Sequence, residues 1–331
     1  MYEALAGRVA AIIKEVLDAE SVNYHSISSR AKEVESFQRK ASREKYKDPL
    51  VEITDMAGVR VITYIQSDAV KVANLVKKAF AVIPKHSVDK SVELGTDRVG
   101  YRSIHLVATL GKTREQLPEN KIFRHACFEI QVKTILQHAW AEFEHDRNYK
   151  FAGVLPEDIR RRFYILAGNL ESVDREFDTI AGQIDQYAAV VDKKTQSGDL
   201  GIPIDSTSLK TYLNNKFGQL VKKGVDPVLY DLDDMVIGEL RDMGITTLER
   251  LDKVIPANFV EIESKHVEGE MMNQSFLGLL RDLMIIHDID RYFNKAWKGH
   301  WSKMNERTFR TLKEFGINIS PYAVKKGIDI M

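Results

Sequence analysis

Two segments of the chain, well separated in sequence, carry the residue types that a phosphate-transfer site requires. The segment 29–60 combines cations, a serine and a lone carboxylate, and its candidate ligand-binding residues are Arg30, Lys32, Ser36, Lys40, Asp55 and Arg60. The segment 100–133 sets an aromatic residue beside a glycine and adds a second lone carboxylate; its candidates are Tyr101, Arg102, Ser103, His105 and Glu129. Because phosphoryl-type transfer depends mainly on positioning and charge neutralisation, the segments suit two halves of one site for a nucleoside triphosphate, a metal ion and a base.

The charged residues of the first segment each have two interpretations. Arg30 and Lys32 share one face at the end of a predicted strand, and Lys40 lies on the following helix, so together they suit a triphosphate. Taken alone, the mixed charges around them are more typical of a solvated basic helix. Asp55 directly precedes a predicted buried strand, where a carboxylate suits either Mg²⁺ or a turn cap. Arg60 lies inside that strand and needs a polar partner or a cleft, where its guanidinium could stack on a purine.

The sharpest signal of the second segment is its last strand. Apolar residues there alternate with Glu129, Gln131 and Lys133, so a carboxylate, an amide and an amine share one face. Such a face indicates either a cleft or the solvent side of an edge strand. Earlier in the segment, Gly100 allows a ligand to approach the backbone, and Tyr101 either stacks on a base or fills a turn.

Alternating helices and strands must position these residues. Helical spacing of apolar residues predicts helices over 2–20, 36–46, 68–80, 133–149 and from Pro156 to about 193. Runs of β-branched and apolar residues predict strands near 24–28 and over 58–65, 103–110 and 126–132. The helix over 68–80 should turn inward Val70, Val72, Leu75, Val76 and Phe80. The apolar stripe of the last helix contains Ile159, Phe163, Leu166, Leu170, Val173, Phe177 and Ile184. The alternation favours an α/β (α+β) mixed sheet flanked by helices over a helical bundle.

A break in the helical pattern divides the chain into two predicted domains. Residues 196–209 contain glycine, serine and proline and predict a linker between a domain over 1–195 and a helical domain over 210–331. Within the second domain, the segments 240–246 and 312–318 each predict a helix that ends on a glycine. Its expected core residues are Leu248, Leu251, Val254, Phe276, Leu279, Leu280, Leu283, Ile286 and Ile289.

Composition excludes several classes of protein. The 331 residues include 48 Lys plus Arg and 48 Asp plus Glu, so the formal net charge is zero and a globally basic nucleic-acid binder is not expected. Cys127 is the only cysteine, which excludes an internal disulfide. The sequence shows no apolar run of membrane-spanning length and no signal-peptide pattern. We therefore expect a cytoplasmic protein without a membrane partner.

Taken together and in this order, the motifs of residues 20–190 resemble the synthetase domain of the RelA/SpoT family, which transfers pyrophosphate from ATP to a ribose 3′-hydroxyl. The resemblance implies a nucleotidyltransferase-like sheet and Mg²⁺ as cofactor. The residues that it assigns to ATP are Arg30, Lys32, Ser36, Lys40 and Arg60. Asp55 and Glu129 would hold the metal, with Glu129 also acting as the base. The residues that it assigns to the acceptor are Tyr101, Arg102, Ser103 and His105.

The resemblance leaves the acceptor open, because the approach to the acceptor loop, residues 89–99, lacks the usual Pro-Lys-x-Asn pattern of the family. Two further departures are Arg102, where the family usually has glutamine, and Lys133, where it usually has arginine. One subgroup makes guanosine alarmones from GDP or GTP, which is the function we expect, under control of the C-terminal domain. An alternative subgroup comprises fused toxin–antitoxin proteins of phage defence. These pyrophosphorylate the tRNA 3′ end, and a C-terminal region restrains them until a phage protein triggers release. A catalytically dead regulator ranks last because both carboxylates are present. Homo-oligomerisation is a further open question.

Overall fold

The computed structural model describes residues 1–44, 46–89, 103–150, 156–227, 235–267 and 274–330. The chain divides into two compact units, Met1–Gly182 and Gln183–Met331, each with its own hydrophobic core. This division falls inside a long helix and not in the predicted linker. Ile202 and Leu209, which belong to that predicted linker, are buried in the core of the second unit. The domain limits drawn from the sequence, 1–195 and 210–331, therefore remain a prediction.

The first unit combines helices with a six-stranded sheet. In chain order its main elements are α1 (Tyr2–Ala19), β1 (Ser26–Ala31), α2 (Val34–Ala41), α3 (Pro49–Glu52), β2 (Ala57–Thr63), α4 (Gln66–Ala79), β3 (Ala81–Val82), β4 (Val88–Asp89), β5 (Ile104–Thr109), α5 (Lys112–Glu115), β6 (Phe128–Thr134), α6 (Ile135–Lys150) and α7 (Glu157–Gln196), the last of which continues into the second unit. Two short 3₁₀ helices cover Pro84–His86 and Pro118–Phe123.

The sheet is mixed, as the sequence predicts. Its strand order is β1-β2-β6-β5-β3, and β4 pairs with β5. β2 and β6 run parallel, whereas β1 pairs with β2 and β5 pairs with β6 in antiparallel fashion. The central strands β2 and β6 therefore place the two candidate segments side by side. The sequence alone does not reveal this pairing, because about seventy residues separate the two strands in the chain.

The two faces of the sheet differ in chemistry. One face packs against α1 and α4, and its core includes Val59, Val61, Ile130 and Val132 together with Leu5 of α1. Because side chains alternate along a strand, the intervening residues of β2 and β6 point to the other face, where the polar candidates lie. The alternation predicted for β6 is confirmed, with Phe128, Ile130 and Val132 buried.

One expectation about the inward-facing residues of α4 is wrong. Val70 was expected to face inward from α4 but is 45% exposed, whereas Val72 and Val76 of the same helix are buried. The stripe of α7 keeps its helical spacing, yet Ile159 and Leu166 are exposed. Periodicity identifies an amphipathic helix, but which apolar positions find a partner depends on the rest of the fold.

The second unit is mostly helical. After α7 it contains α8 (Ser206–Lys222), α9 (Met235–Asp242), α10 (Leu248–Val254), α11 (Phe259–Val267), α12 (Phe276–His287), α13 (Ile289–Arg291), a π-helical turn (Tyr292–Ala296), β7 (Lys303–Met304), α14 (Glu306–Glu314), α15 (Ser320–Lys326) and β8 (Asp329–Ile330). β7 and β8 pair in parallel. The core contains six of the nine predicted residues fully buried, namely Leu248, Leu251, Phe276, Leu279, Leu280 and Leu283.

Both predicted glycine stops are confirmed. Gly244 follows α9 with a φ of 80°, and Gly316 follows α14 with a φ of 74°. The next residue closes the helix end in each case: the N–H of Ile245 donates to Leu240 O at 2.8 Å, and that of Ile317 donates to Leu312 O at 2.9 Å. These are the bonds of the Schellman motif, which needs the left-handed conformation that glycine adopts readily.

Within the part of the chain that the structure describes, no helix combines the length and the apolar character that crossing a bilayer would require.

Candidate active site

The polar face of β1, β2, β6 and β5 brings the two candidate segments together. Arg30 pairs with Gly58 across β1 and β2, and Gly58 pairs with Glu129 across β2 and β6. Gln131 in turn pairs with His105 across β6 and β5. Directly paired residues project on the same side of a sheet, so one face presents these side chains in a row.

Glycine at position 58 leaves room for its neighbour. A Cβ atom there would lie 3.8 Å from Cγ of Arg30, an ordinary contact, but any longer side chain would compete with Arg30 for the same space. The row of side chains forms the wall of a cavity of about 280 Å³. The lining residues are Ser28, Ser29, Arg30, Asp55, Gly58, Val59, Arg60, Glu129, Gln131 and Glu142.

Asp55 is held by the two lysines that the sequence assigned to phosphate binding. Lys32 Nζ donates to Asp55 Oδ2 at 2.8 Å, and Lys40 Nζ lies 3.0 Å from the same oxygen. Burial raises the pKa of Asp55, but the hydrogen bonds and charges of the two lysines outweigh it and leave the pKa below its usual value. Asp55 is therefore ionised at neutral pH.

Glu129 lies in a second hydrogen-bonded group. His105 Nδ1 is 2.8 Å from Glu129 Oε1, and Ser103 Oγ is 2.8 Å from His105 Nε2. Burial raises the pKa of Glu129, yet the hydrogen bond and charge of His105, with a hydrogen bond from Gln131 at 3.1 Å, lower it overall. Because an ionised carboxylate only accepts hydrogen bonds, Nδ1 of His105 carries a proton and donates to Glu129.

Arg60 is paired with a helix that the sequence did not link to it. Its Nη1 donates to Glu142 Oε1 at 2.8 Å and lies 3.5 Å from His138 Nδ1, both on α6. Burial, Arg60 and Lys133 lower the pKa of His138, whereas Glu142 raises it, and the net shift is downward. His138 is thus a neutral neighbour at pH 7, and Glu142 neutralises Arg60.

The carboxylates fit a divalent cation. Asp55 Oδ1 is buried and has no hydrogen-bond partner among the described residues. A buried carboxylate oxygen lowers the stability of the fold unless a hydrogen-bond donor or a cation binds it. Glu129 lines the same cavity, and the charge of Asp55 acts on its pKa. Two carboxylates with substrate phosphates suit Mg²⁺. The described residues contain no cluster of three or more His, Cys, Asp or Glu side chains with metal-binding geometry, which a protein-only cage would need.

The structure connects most of the candidates named from the sequence. Arg30, Asp55, Arg60 and Glu129 line the cavity directly. Lys32 and Lys40 form ion pairs with Asp55. His105 is hydrogen-bonded to Glu129, and Ser103 is hydrogen-bonded to His105. Ser36 lies half-buried on α2 and is not part of the lining. Tyr101 and Arg102 lie outside the described residues, so their acceptor roles remain predictions.

Two cavity residues were missed by sequence reasoning. Ser28 lies two residues before Arg30 and directly opposite Arg60, so strand alternation alone places it on the same face. Glu142 had no comparable signal, because its pairing with Arg60 spans 82 positions and depends on how α6 crosses the sheet.

Comparison with known proteins finds a family model and several proteins that are similar to this chain. Residues 29–153 match the model of the region found in RelA/SpoT proteins. This part of the chain, which is less than half of its length, is therefore similar to RelA/SpoT proteins. Two curated relatives of Bacillus subtilis (strain 168) are similar to it: GTP pyrophosphokinase YjbM, 29% identical over 178 residues, and GTP pyrophosphokinase YwaC, 30% identical over 147 residues. The matches cover 52% and 40% of this chain, and 79% and 61% of the respective relatives.

Solved structures of small alarmone synthetases are also similar to this chain. Small alarmone synthetase 1 from Bacillus subtilis is 25% identical with a TM-score of 0.47, covering 56% of this chain and 94% of that one. The same enzyme bound to its product pppGpp gives a TM-score of 0.46 at 25% identity, covering 55% and 93%. Both curated relatives are named as pyrophosphokinases, which are transferases.

Proposed function

We propose that this protein transfers the β,γ-pyrophosphate of ATP to the ribose 3′-hydroxyl of GDP or GTP. The observation that carries the proposal is the convergence of two ionised carboxylates in one cavity, Asp55 with its two lysines and Glu129 with its histidine. The names of the curated relatives, both GTP pyrophosphokinases, support guanosine nucleotides as acceptors.

ATP binds along β1 and β2 in this proposal. Arg30 and Arg60 enclose the adenine, since a planar guanidinium stacks on an aromatic ring, and Arg60 exchanges Glu142 for the nucleotide. Lys32 and Lys40 turn from Asp55 to the phosphates, with Ser36 assisting from α2. Both lysines lie within 3.0 Å of the Asp55 carboxylate, so they need only short movements to share their charge with a metal-bound triphosphate.

Asp55 and Glu129 would hold Mg²⁺, which when bound supplies charge neutralisation on the transferred group. The observation that favours this role is that Asp55 Oδ1 is buried and has no hydrogen-bond partner among the described residues. The two lysines and His105 fix the direction of the two carboxylates before substrate arrives, so little reorganisation is needed.

Proton transfer falls to Glu129. The acceptor binds with its base against Tyr101 and with Arg102, Ser103 and His105 towards its polar groups, and its 3′-hydroxyl faces Glu129. The carboxylate takes the hydroxyl proton as a general base, the 3′-oxygen forms a bond to the β-phosphorus, and the bond between that phosphorus and the α–β bridging oxygen breaks. AMP leaves with the electron pair. Since His105 already donates to Glu129, we assign it mainly to orienting this base.

The test is transfer of label from γ-³²P-ATP in the presence of Mg²⁺, with GDP, GTP and bulk tRNA offered in parallel. Label on GDP or GTP is the expected result. Label on tRNA alone would refute the proposed acceptor and support the toxin alternative. Omission of Mg²⁺ should abolish transfer, and unchanged transfer with a chelator present would refute the metal role.

We also propose that the second unit controls the transfer. Its own hydrophobic core, distinct from that of the first unit, supports an independent regulatory module. Comparison of the whole chain with a chain that ends after Gln196 should show a changed transfer rate, and equal rates would refute the regulation. If the whole chain labels no acceptor, a phage protein is the trigger that the toxin alternative would require.

A further inference from the structure

The second unit contains a cavity that the proposed transfer reaction does not involve. Its volume is about 160 Å³, and its lining comes mainly from α12 and from the segment 301–308. Residues three and four positions apart share one face of a helix, and α12 contributes Gly278, Arg281, Asp282 and Ile285. The segment 301–308 contributes Trp301, Lys303, Met304 and Thr308 among others. Ligand pockets typically measure about 300–1,000 Å³, so this cavity suits a small ligand and not a nucleotide.

One carboxyl group of this lining is buried without a counter-ion. Asp282 is 2% exposed, and its Oδ2 accepts a hydrogen bond from Gln274 Nε2 at 3.2 Å. Gln274 packs so closely on Gly278 that a Cβ atom there would overlap Gln274 Oε1, which keeps the amide beside the carboxyl group. Among the described residues, no cation forms an ion pair with Asp282. A carboxylate in this position is unfavourable, because burial removes water and no opposite charge replaces it.

Two arginines of the same region already pair with other acids. Arg281 Nε and Nη2 donate to the two carboxylate oxygens of Glu239 at 3.1 and 2.9 Å. Arg307 Nη2 donates to Glu263 Oε2. Glu239 is 2% exposed and Glu263 is fully buried. Together with Asp282, three buried carboxyl groups therefore face two guanidinium groups, and full ionisation leaves one negative charge in excess.

The pKa of Asp282 reflects this imbalance. Burial and the negative charge of Glu263 raise that pKa well above its usual value. They outweigh the charge of Arg307 and the hydrogen bonds of Gln274 and Thr308, which lower it. Ionisation of Asp282 is therefore unfavourable unless a further positive charge enters the cavity.

We propose that the cavity binds a primary ammonium group on a short apolar carbon chain, with Asp282 as its counter-ion. The side chains of Ile285 and Met304 supply apolar walls for the carbon chain. Trp301 adds an indole ring, and aromatic rings attract cations. The indole N–H donates to the hydroxyl of Tyr292 at 3.1 Å, which holds this ring in place.

A metal ion fits this lining less well than an ammonium ion. Mg²⁺ and Ca²⁺ need a shell of oxygen ligands, whereas apolar side chains form much of this cavity. The described residues also contain no cluster of three or more His, Cys, Asp or Glu side chains that could hold a metal ion. A single buried carboxyl group with a neighbouring amide suits the smaller demand of an ammonium group, which donates three hydrogen bonds.

Two kinds of small molecule carry such an ammonium group. One is a free amino acid with an apolar side chain, and the other is the corresponding amine without the carboxylate. Lys303 lines the cavity and is exposed, so the carboxylate of an amino acid would find a cation there. A simple amine would leave Lys303 in water.

The experiment is isothermal titration calorimetry of the whole chain with three compounds of one carbon skeleton, namely L-leucine, isoamylamine and isocaproate. Isoamylamine lacks the carboxylate of leucine, and isocaproate lacks its ammonium group. At least one of the two ammonium compounds should bind, and isocaproate should bind at least about tenfold more weakly than the tighter of them. Tighter binding of leucine identifies an amino acid as the ligand, and tighter binding of isoamylamine identifies a simple amine.

Asp282→Asn removes the counter-ion and keeps the shape of the side chain. Its amide oxygen can still accept a hydrogen bond from Gln274. The dissociation constant of the tighter compound should rise about thirtyfold or more, because a buried charge pair is lost. The matched control is Asp199→Asn, the same change at an exposed position of the second unit, which should bind like wild type.

Three results would overturn the proposal. The first is that neither leucine nor isoamylamine binds at millimolar concentration. The second is that isocaproate binds as tightly as the better ammonium compound. The third is that Asp282→Asn, with a cooperative melting curve like that of wild type, binds as wild type does. The comparison of the three compounds uses the unaltered chain, so it decides the question even where Asp282→Asn does not fold.

Discussion

Replacing Glu129 by Gln separates the chemistry of the site from its folding, because it removes one charge and changes almost no volume. In the structure, Glu129 Oε1 is 2.8 Å from His105 Nδ1, and Oε2 accepts from Gln131 at 3.1 Å. A glutamine retains one carbonyl oxygen as an acceptor, and rotation of its amide allows one of these bonds to persist. The expected loss is one hydrogen bond to a charged group, about 1.5–3 kcal/mol of unfolding free energy.

The effect on catalysis should be much larger. A positioned general base contributes about 10²–10⁴-fold to the rate, and the variant also removes a carboxylate proposed to hold the metal. The rate of pyrophosphate transfer should therefore fall by at least a hundredfold, about 2.7 kcal/mol or more in the activation free energy. Thermal unfolding should still be cooperative, at a melting temperature lower by several degrees.

The assay is label transfer from γ-³²P-ATP to GDP, run beside a melting curve for each variant. Glu119→Gln is the matched control, because Glu119 is exposed, pairs only with surface Arg8 at 3.4 Å among the described contacts, and lies outside the cavity lining. Transfer by Glu129→Gln at a rate near that of wild type would refute the assignment of the base. Loss of the cooperative melting transition would instead show that Glu129 is needed for folding.

Three further outcomes are expected. Lys32→Met removes one of two lysines that lower the pKa of Asp55, so that pKa should rise towards its unfolded value. The stability that this carboxylate contributes is full above its unfolded pKa and is lost as pH falls through the folded pKa; in the variant this contribution should be smaller and its loss should be complete at a higher pH, as melting curves across acid pH would show. Glu142→Gln removes the partly exposed ion pair between Glu142 and Arg60. A non-hydrolysable ATP analogue should therefore bind about 1.4–5-fold more tightly, as measured by calorimetry. Weaker binding would contradict the interpretation that Glu142 serves only as a counter-ion for Arg60. Phe217→Ala opens a cavity in the core of the second unit, where Phe217 is fully buried. The free energy of unfolding, measured by denaturant titration, should fall by about 3–5 kcal/mol. A decrease below about 1 kcal/mol would contradict this packing.

Local patterns account for the elements that the sequence predicted correctly. The alternation of Phe128, Ile130 and Val132 with polar residues specifies a strand with one buried face, and the structure confirms it. Gly244 and Gly316 stop their helices for a reason that acts over a few residues. Capping, glycine conformation and apolar periodicity are short-range properties, so a single sequence contains them.

Long-range relations were harder to predict. The ion pair between Arg60 and Glu142 joins two elements that no local pattern connects. Val70 has the spacing of a core residue but faces solvent. Nothing in the sequence shows that His105 turns to Glu129 and not to open space. Each of these depends on which element packs beside which, and packing is decided over the whole chain.

The sequence by itself determined the residue types available for chemistry, their order, and the strands that carry Arg60 and Glu129. Only the tertiary structure decided that these strands lie side by side and parallel, that Lys32 and Lys40 converge on one oxygen of Asp55, and that its other oxygen stays without a partner among the described residues. The physical reason is that a side chain's charge and reach are local properties, whereas its partners and its desolvation are set by the elements that fold around it.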